Sequence, residues 1–233
     1  MDLPTLIHTA ARDAGCLLLP GDVAVIAQKI VSKAEGRKIA LCDVMPSPRA
    51  RQVAEECGKD PRIVELILSE STEVVRCKPG LLITRHRLGY VVANAAIDQS
   101  NVADGDAHAL LLPCDPDASA MHLSKAISAI VGGEIGVIIN DSFGRPFRSG
   151  TCGVAIGCAG VESLIDQRGQ PDRHGRILQA TLIAHADEIA AAASIVMGQA
   201  GEGLPAVIVR GLPRTPSRPA ADLVRPAEQD LFR

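Results

Sequence analysis

Three short apolar runs, at 23–27, 135–139 and 206–209, are separated by stretches in which apolar residues recur at helical spacing. That alternation restricts the chain to a mixed α/β (α+β) fold. Its core must be aliphatic, because the chain has no Trp, one Tyr and three Phe. The same poverty of aromatics excludes modules that stack bases on aromatic platforms. With a net charge of −3 there is no bulk basic field for nucleic acid or acidic lipid, so any anionic ligand must meet local positive groups. The longest apolar stretch, 189–197, is too short to span a bilayer.

The rest of the chain reads as a series of short elements. Helical spacing over 6–14 precedes the run at 23–27. Ser47-Pro48 and Asp60-Pro61 each supply an N-cap followed by Pro at the first helical position, starting helices over about 48–57 and 61–70. Strands are expected at 74–77, 81–87 and 90–93, the last two joined by a Leu88-Gly89 hairpin. A helix from about Asp117 ends at Gly132-Gly133, and the apolar run at 135–139 is the clearest buried strand. A strand over 177–184, an Ala-rich helix over 187–197 and a strand over 206–209 complete the pattern. No linker interrupts it, so any second lobe is interwoven with the first. One domain is expected over 1–211, with an extended Pro/Arg-rich arm over 212–233. Seven cysteines, no two closer than six residues, leave no CxxC pair for zinc or redox work. The start Met-Asp-Leu-Pro has neither basic n-region nor apolar h-region, so a cytoplasmic protein with reduced thiols is expected.

Chemistry can sit in three places. Asp98 and Asp141 each follow a strand run, and carboxylates at strand ends can converge on a sheet rim, where a hard cation takes one or two of them plus phosphate oxygens. Turn and capping duty would place the same residues there. The glycine-rich loop 197–204 can offer backbone N–H groups to an anion, or simply stop a helix. Positive charge clusters at Lys29 and Lys33, four apart, and at Arg145 and Arg148, either as anion contacts or as solvated surface. Walker A, GxGxxG and GxSxG motifs are absent, and the six His residues read as structural.

The wording of these segments is more specific. The segments 28–37 (QKIVSKAEGR), 95–101 (AAIDQSN), 140–148 (NDSFGRPFR), 186–190 (ADEIA) with 197–203 (MGQAGEG), and 205–211 (PAVIVRG) occur in one order and spacing. The chain resembles the coenzyme F420-0:L-glutamate ligases, the γ-glutamyl ligases of deazaflavin coenzyme biosynthesis, over nearly its whole length. The resemblance implies a two-lobed mixed α/β fold in an intertwined homodimer. It also implies addition of L-glutamate to the coenzyme precursor through an acyl-phosphate, with GTP cleaved to GDP and phosphate. Mg²⁺ or Mn²⁺, with K⁺ as a further candidate, would assist. By that resemblance Asp98, Asp141, Ser142 and Gln199 match metal positions. Gln28, Lys29, Lys33, Asn101 and the loop residues Met197, Gly198, Gln199, Ala200, Gly201, Glu202, Gly203 and Leu204 match nucleotide positions. Lys33 and Asp141 are the expected catalytic pair, while Arg145 and Arg148 are candidates for the substrate's anionic groups. Relatives are expected to carry an acidic ligand where Gln199 stands, and an additional nucleotide-contacting strand ahead of the first helix. Two other functions fit the same motifs: a deazaflavin- or nucleotide-binding paralogue without turnover, and a glutamate ligase for another small carboxylate.

Overall fold

The computed structural model describes residues 2–100 and 107–230. In chain order it contains α1 (Leu3–Asp13), β1 (Val23–Ala27), α2 (Gln28–Ala34), β2 (Lys38–Ala40), α3 (Pro48–Cys57), α4 (Pro61–Ser69), β3 (Ser71–Lys78), β4 (Leu81–His86) and β5 (Val91–Ala93). It continues with β6 (His108–Leu110), α5 (Pro116–Val131), β7 (Gly136–Arg145), β8 (Arg148–Ala159), β9 (Ile165–Asp166), β10 (Leu182–Ile183), α6 (His185–Met197) and β11 (Ala206–Val209). These elements form two compact units. No described helix is long and apolar enough to cross a membrane.

The first unit draws on 1–27, 115–142 and 152–233. Its sheet has the order β11-β1-β7-β8, with β1 parallel to β7 and antiparallel to β11. Val25 sits opposite Ile138 on one side and Val207 on the other. Val23, Val25 and Ile138 pack with Ala186, Ile189, Ala190, Ala193 and Met197 of α6, whose small residues let the helix lie close to the sheet. The alternate residues Ala24, Ile26, Val137 and Ile139 point to the other face and are equally buried, as expected of strands covered on both sides. Aliphatic and alanine packing replaces the missing aromatics. Gly157 belongs to that close fit, because a Cβ there would stand 2.2 Å from the Pro116 carbonyl oxygen.

Residues 212–219 run extended along the first unit. Glu162 N donates to Thr215 Oγ1, Gly160 N to Ser217 Oγ and Arg218 N to Val161 O, each at 2.9 Å. Asp117 then accepts the backbone N–H groups of Ala220 and Ala221, and Ala220 enters the core fully buried.

The second unit draws on 28–114 and 143–151. It holds the β3-β4-β5 meander, the antiparallel β2–β6 pair, and α2, α3 and α4. Its core gathers Leu41, Ala54, Val64, Ile67, Leu82, Ala95 and Ala109. Local signals set the helix ends as expected. Ser47 Oγ caps Ala50 N, Asp60 caps Arg62 N, and Gly58 closes α3 at φ +66°.

Three sequence expectations change, and one strand forms that the sequence did not announce. The strand expected over 177–184 shrinks to Leu182–Ile183, paired with β9, because Asp172 closes a turn with Arg176 and Ile177 makes only an isolated bridge to Pro171. The long β8 lacked a readable pattern, since Gly150, Gly153 and Gly157 interrupt it and only its second half is buried. The helix expected from about Asp117 forms as expected, starting at Pro116 with Asp115 as its cap and ending at Gly132. Asp141 lies inside β7 rather than after a strand, and Asp98 follows a 3₁₀ turn at Asn94–Ala96.

Candidate functional site

The buried part of β7 ends at Asn140, and Asp141 is the first half-exposed position after it. Asp141 Oδ1 accepts the Ser142 N–H at 2.8 Å, and Ser142 Oγ donates to Gln199 Oε1 at 2.7 Å. The strand end is therefore tied to the glycine-rich loop. A second tie lies beneath the first. Asn140, only 6 % exposed, donates through Nδ2 to Ser194 Oγ at 2.9 Å, and Ser194 in turn donates to the Ala190 carbonyl. Gly153 on β8 leaves room for this contact, since a Cβ there would stand 2.2 Å from Ser194 Oγ. The last turn of α6, and the loop that leaves it, are thus fixed against the residues that precede Asp141.

The loop itself is built around an anion. Gly198 has φ +71° and ψ −176°, a conformation open essentially to glycine alone, and a Cβ there would meet Glu202 Cδ at 2.2 Å. Glu202 folds back so that its carboxylate accepts the Ala200 N–H at 2.8 Å. Its own N–H and that of Ala200 hold this exposed carboxyl below the usual carboxylate range. The loop amides converge on negative charge, as in an anion nest.

Asp141, Ser142 and Gln199 together offer a carboxylate, a hydroxyl and an amide oxygen. This all-oxygen set suits a hard divalent cation, and no sulfur or imidazole competes in it. Among the described residues no group of three or more His, Cys, Asp or Glu could hold a metal. A cation here would rely on mixed oxygen donors and on its substrates' oxygens.

In the second unit, α2 begins immediately after β1 and carries the expected cationic residues. Lys29 Nζ lies 2.5 Å from Asp98 Oδ2, and Asp98 also accepts the Ser100 N–H and hydroxyl at 2.6 and 3.0 Å. Burial pushes the Asp98 carboxyl up, but Lys29 and Ser100 outweigh it and hold it below the ordinary range. Lys33 is exposed one turn further along α2, whereas Gln28 is 2 % exposed and its Oε1 accepts the Ser32 hydroxyl. Arg145 and Arg148 are exposed at the tip of the β7–β8 hairpin, flanking the turn at Pro146-Phe147. Asn101 lies outside the described residues.

The segment that delivers Asp98 is strained. Asn94, Ala95 and Ala96 have φ of +54°, +50° and +55°, three successive non-glycine residues in the left-handed region. Each costs an L-residue about 1–2 kcal/mol. Such strain persists where the surroundings over-determine it, commonly at functional sites. Neither this turn nor the Asn140–Ser194–Gly153 contact was foreseen from the sequence. Asn140 ending an apolar run was a usable signal for the second, but alanines carry none for the first.

Residues 1–211 match the family described as F420-0:Gamma-glutamyl ligase. The chain is 49 % identical over 235 residues to the coenzyme F420:L-glutamate ligase of Methanothermobacter thermautotrophicus, covering all of this chain and 92 % of that one. It is 47 % identical to the enzyme of the same name from Methanopyrus kandleri, and 44 % to that from Archaeoglobus fulgidus. Those two alignments also cover all of this chain, with 91 % and 90 % of the relatives.

Proposed function

Since the chain belongs to the F420-0:gamma-glutamyl ligase family, we propose that it joins L-glutamate to the carboxylate of coenzyme F420-0, using GTP and releasing GDP and phosphate. The observation that carries the phosphoryl-transfer reading is the Ser142–Gln199 hydrogen bond, which sets the Asp141 oxygen donors against a loop whose amides converge on an anion. A carboxylate is a poor acyl donor. Its oxygen would attack the γ-phosphorus of GTP as the bond to GDP breaks, giving an acyl-phosphate. The glutamate amine would then attack the acyl carbon, phosphate would leave, and the nitrogen would give up a proton.

The loop 197–204 would hold the nucleotide phosphates through its N–H groups, and Lys33 would face the transferring group as a mobile positive charge. Lys29, released from Asp98, would serve the nucleotide as well. Asp98, Asp141, Ser142 and Gln199 would hold Mg²⁺ or Mn²⁺, which when bound neutralises charge building on the phosphoryl oxygens. Gln28, Asn101 and K⁺ complete the nucleotide site in this reading, while Arg145 and Arg148 take anionic groups of the acceptor. The working form would be a cytoplasmic homodimer.

The test is direct. Purified protein given F420-0, L-glutamate, GTP and Mg²⁺ or Mn²⁺ should yield the glutamylated product with one GDP and one phosphate. Asp141→Asn should lose nearly all of that turnover with an unaltered circular dichroism spectrum. Release of GMP and diphosphate would overturn the acyl-phosphate route, and near-normal activity of Asp141→Asn would overturn the metal assignment.

A further inference from the structure

The buried stretch of β7 is apolar except at its last residue. Val137, Ile138 and Ile139 are fully buried, and Asn140 follows them at 6 % exposed. Its Nδ2 donates to Ser194 Oγ at 2.9 Å and reaches Met197 Sδ at 3.5 Å, so one amide grips the last turn of α6 twice. Its Oδ1 is shielded from solvent and accepts from no donor among the described residues. That oxygen lies against Gly153, where a Cβ would stand 2.9 Å from it. A buried acceptor left unmet is costly.

Strand stability alone does not ask for this residue. Leucine has much the same shape, would leave no unmet oxygen, and would add apolar contact in the same place. The amide does what leucine cannot, which is to fix a direction. The face that α6 turns to the sheet is largely Ala186, Ala190 and Ala193, and so smooth a face resists sliding only weakly. One directional contact sets its register, the use for which a buried polar group is best attested. That register passes straight into the loop, because the Ser194 carbonyl accepts the Gly198 N–H at 3.1 Å and Gly198 leads to Gln199.

The far end of the loop is held from the same row of the sheet. Ala27 of β1 is the register partner of Asn140, and its N–H donates to the Pro205 carbonyl at 2.8 Å. The loop 197–204 is tied at its start through Asn140 and at its end through Ala27. Asp141 is the next residue along β7.

We infer that Asn140 is a positioning residue for the reaction: through Ser194 and Met197 it sets the glycine-rich loop, and Gln199 with it, in register with the oxygen donors of Asp141 and Ser142. The inference rests on the phosphoryl-transfer reading above, and it names what aligns the two halves of that site. With the tie cut, β7 and α6 still pack through their apolar faces. The metal and the nucleotide must then order the loop at the expense of their own binding, so both bind more weakly. Once both are bound the assembled site is the same, and turnover at saturation survives.

Ser194→Ala tests this with little risk to the fold, since it removes one hydroxyl from an alanine-rich helix and raises its helix propensity. Mn²⁺ binding to the full chain without nucleotide, followed by electron paramagnetic resonance, should weaken about fivefold, the worth of one hydrogen bond. GTP affinity, measured by calorimetry with Mn²⁺ present, should fall by a similar factor. The KM for GTP should rise with it while kcat stays within about twofold of the wild type. Asn140→Leu should do the same, and the double variant should bind no more weakly than either single one, because both cut one link. Unchanged Mn²⁺ and GTP affinities in Ser194→Ala, or losses that add in the double variant, overturn the positioning role. Melting midpoints well below the wild type in both single variants would make the contact merely structural and overturn it too. If the wild type binds neither Mn²⁺ nor GTP, the phosphoryl-transfer reading and the positioning role fall together. If the affinities follow the expected pattern but F420-0 is not glutamylated, the acceptor assignment fails and the positioning role stands. If F420-0 is glutamylated and Ser194→Ala binds as the wild type does, the positioning role alone fails.

Discussion

Glu202 sits on the N–H groups that the nucleotide phosphates would need. Its carboxylate accepts from Ala200 at 2.8 Å, packed against a Gly198 that has no room for a side chain. An anion must displace it to bind. Glu202→Gln keeps the shape and removes the competing charge, so the KM for GTP should fall severalfold with kcat little changed. Steady-state kinetics at fixed metal concentration would decide, and a rise in KM with a changed metal requirement would instead make Glu202 a ligand. As candidates, individual residues stand out in the sequence where a chemical type meets a break in the apolar pattern. Asp98 and Asp141 close apolar runs, and the glycines of 198–203 break a helix. What their neighbours do was not legible. The Ser194 hydroxyl that accepts from Asn140 lies within an alanine-rich helix, where a lone Ser ordinarily means nothing. The left-handed Asn94–Ala96 turn has no sequence signature, because tertiary contacts impose it against local preference.

At the scale of elements, α4 ends on a charge hub. Glu70, its C-cap residue, meets Arg37 Nη2 at 2.8 Å, Arg87 Nε at 3.0 Å and His86 Nε2 at 3.3 Å. The same arginines reach the carbonyls of Leu112 and Cys114, so one carboxylate joins α4, the end of β4 and the segment after β6. Burial pushes the Glu70 carboxyl up, but His86, Arg37 and Arg87 outweigh it and bring it from 4.5 down to about 2. A carboxyl lowered on folding stabilises above its unfolded pKa and loses that contribution as pH falls through its folded value. The window is therefore pH 4.5 down to 2. The largest effect consistent with the shift is about 3 kcal/mol. Glu70→Gln should lower the thermal midpoint at pH 7 and flatten the acid limb of stability across that window. Melting curves at stepped pH would show it, and an acid limb identical to the wild type would remove Glu70 as its source. Elements were readable wherever their ends carry local signals, as with Ser47-Pro48, Asp60-Pro61 and Gly132. β8 was not, since its partner strand rather than its own composition makes it a strand.

At the scale of the molecule, apolar surface remains on a chain with few large side chains to spare. Phe147 is 92 % exposed at a hairpin tip, Ile195 85 % and Met45 82 %. A homodimer would cover part of that exposed apolar surface, and light scattering at micromolar concentration should return twice the mass of one chain. A stable monomer with full activity would contradict it. The alternation of strand runs and helices announced a mixed α/β fold, but not which strands neighbour which, because the pairings span most of the chain. That long reach governs how the protein is made. On the ribosome β1 emerges early, yet its neighbours are β7, starting at residue 136, and β11, starting at residue 206. Until then its five-residue apolar strand has both edges open, a template for other nascent chains. The segment 28–114, by contrast, leaves the exit tunnel as one stretch and can begin to collapse first. The sheet that carries Asp141 is the last part to close, and a translating cell must shield β1 while it waits.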